Sequence, residues 1–435
     1  MALIKPFAAV RPQPSLAEKI CELPYDVMSS EEAREMAAGN PLSFLHVSKP
    51  EIDLAPGVDV HDAAVYAKGR VNFQRLIGQG ALRQEAEPCF YLYRQIMGTH
   101  SQTGLVAAAS CEDYLQGVIK KHELTRPDKE DDRVRHIEAL DSQTGPVFLA
   151  YRANEAMDRL VAGETVKVPD TDFTARDGIR HTSWTLRKMA QIELVSRIFT
   201  EIPYLYIADG HHRSAAAARV YQARKGAGES GFFLSVIFPD NQLQILPYNR
   251  VLKDLNGLRP EELLKKLAAI FTPRGAPPRD TINDTALFLE NRGYIGFHPV
   301  SVGAKGGSAG RPRVKNNVSF LLDNQWYKLR FRPEICEVKD PVEGLDVTLL
   351  QKHVLGPIFG IDNPRTSQRI NFVGGIRGTE ELEKLVNNKE YACAFSMFPT
   401  SMADLMSIAD AGGIMPPKST WFEPKLRDAM FCHNI

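Results

Sequence analysis

Apolar positions recur with two periods along this chain, and the period predicts the element. Ser29 followed by Glu32 forms a capping box, which predicts a helix over 30–38 stopped by Gly39-Asn40-Pro41. Residues 62–76 carry helical spacing up to Gly78. CFYLYRQIM (89–97) and TGLVAAASC (103–111) flank a GTHSQ turn and predict a hairpin. Residues 182–200 have a helical period. YLYIA (204–208) is a short strand-like run leading into Asp209-Gly210-His211-His212-Arg213, and SAAAARVYQARKG then forms a helix closed by Gly226. FFLSVIF (232–238), a turn at 239–241 and LQILPYN (243–249) predict a second hairpin.

The result is an α/β (α+β mixed sheet) domain over 1–255, followed by a C-terminal α+β domain over 256–435 that is expected to close over the first or to dimerise. In that second part, 259–271 reads as a helix, 285–300 holds a strand, strands alternate with turns to Phe331, and 342–359 is amphipathic. The Pro- and aromatic-rich tail at 416–425 reads as an ordered loop.

Composition narrows the class. Lys+Arg and Asp+Glu are 53 each, so the net charge is zero, which argues against an overt nucleic-acid binder. No run reaches the ~18 apolar residues of a membrane span, and the proline-containing N-terminus makes a poor secretory signal. Six scattered cysteines without a CxxC pair read as reduced core thiols, so a cytoplasmic protein is expected. Charge is unevenly placed: 113–141 is dense in both signs, with Pro127 interrupting it as a helix. Residues 301–317 hold four glycines and four basic residues without an acid. That stretch lacks GK[ST] and reads as a surface loop, or as a basic flap over an anionic ligand.

The strongest chemistry lies at 209–213. Gly210 permits a sharp turn, and the next residues open a helix whose free N–H groups attract anions. Arg213 adds a bidentate phosphate donor, His211 and His212 add hydrogen-bonding groups, and Asp209 is placed to hold a magnesium ion or orient a nucleophile. A second cluster comprises Lys121, His122, Glu123, Arg126, Arg133 and His136, in which a carboxylate among cations suits proton removal beside a phosphate. Arg180, His181 and Lys418-Ser419-Thr420 are further candidates for phosphate contact.

The segments PYDV (24–27), NPLSFLHV (40–47), SQTGL (101–105), KKHELTRPDKEDDRVRH (120–136), DGIRHTSW (177–184), YIADGHHRSAAA (206–217) and MPPKST (415–420) resemble a widespread family of unknown function. The HE…DGHHR pair also resembles the HE…DGH-x-R signature of free-serine kinases with the ParB/sulfiredoxin-like fold. This resemblance implies a Mg²⁺-dependent kinase making O-phospho-L-serine from L-serine, with pyrophosphate, or alternatively ADP, as donor. It implies Glu123 as the base, Asp209 as the motif aspartate, and His211 and Arg213 as phosphate-handling residues. Two departures stand out: His212 where compact kinases have Thr, and an 86-residue spacing between Glu123 and Asp209.

Small-molecule substrates are thus expected as the partners, with no nucleic acid or membrane, in a monomer or homodimer. Competing readings are a phosphatase on phosphoserine or another small ester, a ParB-like nucleic-acid module, and a zinc hydrolase using His122, His136, His181, His211 and His212.

Overall fold

The computed structural model describes residues 1–273, 299–300, 311–312 and 314–435. The chain forms two compact units, Met1–Gln244 with Pro424–Ile435, and Ile245–Glu423. The pattern of elements predicts one boundary near 255; the structure puts it near 244 and returns Pro424–Ile435 to the first unit.

The first unit is built on a nine-stranded mixed sheet: β1 (Ile4–Lys5), β2 (Phe90–Met97), β3 (His100–Ser110), β4 (Ile119–Lys120), β5 (Val147–Tyr151), β6 (Thr171–Thr174), β7 (Arg180–Leu186), β8 (Leu205–Asp209) and β9 (Phe232–Pro239). Their order is β4-β8-β5-β9-β3-β2-β7-β6, with β1 also pairing β3. The β4–β8 and β5–β9 pairs are parallel and the others antiparallel. Central β9 is almost wholly buried, which matches its continuous apolar run. Five of the unit's helices are α1 (Ser30–Ala37), α2 (Ala63–Gly78), α3 (Pro127–Leu140), α4 (Met189–Glu201) and α5 (His211–Arg224). The main core joins Leu105, Leu149, Ile207 and Ile237 of the sheet to Val195 and Phe199 of α4 and Ala215, Ala217 and Ala218 of α5. The alanines let α5 lie close on the sheet.

Local signals succeed where they are self-contained. Helix α1 carries the Ser29/Glu32 capping box, and Asp62 caps α2. Four expectations are corrected. The first hairpin turns over Gly98-Thr99, because His100–Met97 pairing extends both strands. Residues 182–186 belong to β7, held between β2 and β6, so the helix begins only at Met189. Pro127 starts α3 rather than interrupting it, since a first-turn residue needs no N–H partner. The second hairpin does not form: β9 pairs β3 and β5, whereas Tyr248–Leu252 joins the other unit's sheet.

The second unit holds a seven-stranded antiparallel sheet of β10 (Tyr248–Leu252), β11 (Phe271–Pro273), β12 (Pro299–Val300), β13 (Asn317–Leu322), β14 (Gln325–Phe331), β15 (Ile370–Gly374) and β16 (Cys393–Met397). The order is β11-β14-β13-β16-β10-β15, with β12 also on β14. Val251, Leu321, Trp326, Val373 and Leu382 contribute to its core. The basic stretch 301–317 lies largely outside the described residues, as does most of 285–300. All six cysteines are free thiols. Among the described residues no helix is long and apolar enough to cross a membrane.

Candidate active site

Strand pairing explains how the two motifs meet. In the parallel β4–β8 pair, Lys120 stands opposite Tyr206. Three residues beyond each lie Glu123 and Asp209, so both motifs leave the same edge of the sheet. A register shift between Ile207 and Asp209 interrupts the regular β8–β5 pairing just before the turn. Gly210 then takes φ +93°, a left-handed conformation that suits glycine, and caps α5 without a side-chain hydrogen bond. A Cβ there would lie 3.2 Å from the Arg213 guanidinium.

The ligand atoms of His122, Glu123 and His211 all lie within 4.8 Å of one another. The two imidazoles meet edge to face with centroids 4.5 Å apart. Both rings are buried, and His211 Nε2 has no hydrogen-bond partner. Burial depresses the His122 pKa to about 4 against the opposing pull of Asp209. Burial, then His122, holds His211 well below the usual histidine range. Two neutral rings therefore back the turn at pH 7.

Asp209 Oδ1 accepts from Gly210 N at 2.8 Å and Oδ2 from Lys425 Nζ at 2.8 Å, while Arg213 stands 3.9 Å from Oδ1. Burial opposes ionisation of this carboxyl, but Lys425 and Arg213 outweigh it and hold it below the usual carboxylate range. The buried Arg213 guanidinium donates to Pro146 O. His212 Nε2 accepts from Arg126 N at 3.1 Å, so that ring nitrogen carries no proton, and burial lowers the His212 pKa.

The other expected residues lie in several places. Arg133 pairs with Asp132 at 2.6 Å and covers the Tyr25 ring at 3.7 Å. His136 Nε2 donates to Val47 O at 3.0 Å, and burial and Arg133 push its pKa to about 4. Arg133, His136 and Arg213 line one cavity of about 30 Å³ with Tyr25, Gly145 and Asp428. Lys121 is exposed and lies over the Tyr114 ring at 4.1 Å. The Arg126 side chain pairs with Asp128 at 2.7 Å. Arg180 is held by Asp172 across β6 and β7. His181 is fully buried; its Nε2 accepts from Arg427 Nε at 3.1 Å, so Nδ1–H donates to Tyr93 Oη at 2.7 Å. Lys418, Ser419 and Thr420 belong to the second unit, where Lys418 Nζ is 5.2 Å from the Tyr248 ring centroid and Ser419 Oγ donates to Pro416 O at 2.7 Å. Of the five histidines of the zinc reading, only His122 and His211 share a candidate metal-binding group among the described residues.

Sequence reasoning missed three residues supplied by the segment after 423. Lys425 reaches Asp209, Arg427 binds His181 and Asp177, and Asp428 enters the cavity beside Arg213. No local spacing announces them, since Lys425 and Asp209 are 216 residues apart.

Two groupings offer donors to a divalent cation. His122, Glu123 and His211 present two nitrogens and one oxygen, a set suited to transition metals more than to Mg²⁺. At Asp209 the hard oxygen donor already bears an ammonium, with a guanidinium nearby. A divalent ion at that carboxylate would face both cations, so as arranged these residues do not fit a protein-held Mg²⁺.

Among solved structures, the chain is similar to "Free serine kinase in complex with AMP" at 13% identity, covering 73% of this chain and 86% of that one, with a TM-score of 0.33. It is similar to "SbnI with C-terminal truncation from Staphylococcus aureus" at 10% identity, covering 76% and 85%, with a TM-score of 0.35. A conserved hypothetical protein from Pyrococcus furiosus is 13% identical over 75% and 93%, with a TM-score of 0.32. At these scores they stand as likenesses only. No curated protein matches. The model of one family, "Protein of unknown function (DUF1015)", matches residues 4–348, and the chain belongs to that family.

Proposed function

We propose that the protein is a phosphotransferase that phosphorylates free L-serine, with inorganic pyrophosphate as donor and ADP as the alternative. The observation that carries this reading is the parallel register that sets Glu123 beside the Asp209-Gly210-His211 turn. A hydroxyl becomes an effective nucleophile when a base takes its proton during attack. Glu123 fills that role: its carboxylate accepts the serine Oγ proton as the Oγ–P bond forms. The bond from phosphorus to the bridging oxygen breaks, and its electron pair leaves with inorganic phosphate. Products are O-phospho-L-serine and phosphate, with the proton on Glu123 passing to solvent.

Phosphoryl transfer needs positioning and charge neutralisation more than covalent help. The α5 N-terminus supplies backbone N–H groups, and Arg213 stands behind them with a fixed guanidinium. The neutral His122 and His211 rings add bulk and polarity without charge. Mg²⁺ enters this reading as the counter-ion of pyrophosphate in solution, and no step is assigned to it.

The test incubates purified protein with L-serine, Mg²⁺ and either pyrophosphate, ADP or ATP, following phosphoserine by mass spectrometry. Phosphoserine with pyrophosphate is expected. No phosphoserine with any donor, from folded protein, would sink the proposal, and phosphate release without serine would point to a phosphatase.

A further inference from the structure

Lys425 is placed with more care than a surface ion pair requires. Its backbone carbonyl accepts from Gln95 Nε2 at 2.8 Å, and Gln95 Oε1 accepts from Gln102 Nε2 at 3.0 Å. Gln95 and Gln102 are both fully buried. Buried amides are tolerated when matched and are costly otherwise, so the interior of the first unit fixes where Lys425 leaves the backbone. Two residues on, Arg427 is tied to His181 and Asp177. The ammonium thus reaches Asp209 Oδ2 from a built platform.

The pair is partly accessible, the Lys425 side chain 12% exposed and that of Asp209 30% exposed. One carboxylate bridges Lys425 on Oδ2 and the Gly210 N–H on Oδ1. Beside it is a helix start with no side-chain cap and the buried His211 Nε2 with no partner. If the ammonium turned away, Asp209 would keep the Gly210 N–H and the nearby Arg213 guanidinium. An anion at the turn would therefore compete for Lys425 without leaving Asp209 unmatched.

We propose that Lys425 is a phosphate-binding residue of this site, standing at Asp209 where a divalent cation would otherwise bind and exchanging Asp209 for a donor phosphate oxygen. The inference rests on the phosphotransferase reading and names the chain's own cation for it.

Two probes test this on the full chain. Mn²⁺, without phosphate, is followed by electron paramagnetic resonance; inorganic pyrophosphate, in EDTA, is followed by calorimetry. Wild-type protein should show no Mn²⁺ binding that depends on Asp209. Lys425→Met should gain a Mn²⁺ site that Asp209→Asn in the same background removes. Pyrophosphate binding should weaken about tenfold or more in Lys425→Met, as expected for loss of a charged hydrogen bond, and recover partly in Lys425→Arg. Lys425→Gln replaces the methionine variant if that chain does not fold. Wild-type Mn²⁺ binding abolished by Asp209→Asn would overturn the proposal, as would full pyrophosphate affinity without the lysine. Protein that binds pyrophosphate through Lys425 but forms no phosphoserine would refute the serine-kinase reading alone.

Discussion

His122 and His211 pack edge to face at 4.5 Å, two imidazoles from separate motifs sharing one buried, uncharged contact. That contact has a pH signature. His122 titrates at about 4 in the folded chain against an ordinary value of 6.5. Between those values the unfolded chain holds a proton that the folded chain lacks. Stability from this group is therefore complete above pH 6.5 and is lost as pH falls toward 4. Urea unfolding of wild type and His122→Gln across this window should differ in slope by about 1.4 kcal/mol per pH unit. Equal slopes would mean that His122 charges normally.

Glu123 is assigned the proton transfer, so Glu123→Gln should lower serine phosphorylation by about 10²–10⁴-fold with an unchanged melting temperature. Steady-state assays beside a thermal melt check both halves. A rate close to wild type would remove Glu123 from the mechanism.

Asp428 is buried, and burial pushes its carboxyl up to about 7, against the neighbouring Arg213 and Arg133. Here the folded state holds the extra proton from about pH 4 to 7, so this contribution to stability is lost as pH rises. Asp428→Asn should be more stable than wild type at pH 8, on the order of 1 kcal/mol, and no more stable at pH 5. Differential scanning calorimetry at the two values decides it.

Gly210→Ala places a Cβ in a left-handed backbone and 3.2 Å from the Arg213 guanidinium. The backbone alone costs about 1–2 kcal/mol. Activity should fall further than that implies, because Arg213 must shift. Activity reduced no more than global stability would show that the turn tolerates the shift.

Much of the candidate site is legible in the sequence because its parts are locally encoded. Asp209 through Arg213 sits between an apolar strand and an alanine-rich helix, and Glu123 follows a short strand. Their juxtaposition comes from Lys120 lying opposite Tyr206, a non-local parallel pairing that no turn announces. The failures share that origin. Thr182 to Leu186 look helical alone but complete a strand between β2 and β6. Phe232–Pro239 looks like half a hairpin but finds its partners in β3 and β5. Lys425, Arg427 and Asp428 carry no pattern of their own, and only the return of the chain gives them a role.

That return sets an order of events during synthesis. Glu123, Asp209 and the α5 helix leave the ribosome long before Lys425, with all of Ile245–Glu423 translated in between. The Asp209 carboxylate must pass this interval without its lysine. A nascent chain stalled anywhere in the second unit would carry both motifs and still lack the ammonium that meets them. A ribosome-bound series of increasing length would therefore acquire Lys425-dependent pyrophosphate binding in one late step, once the segment after 423 has emerged.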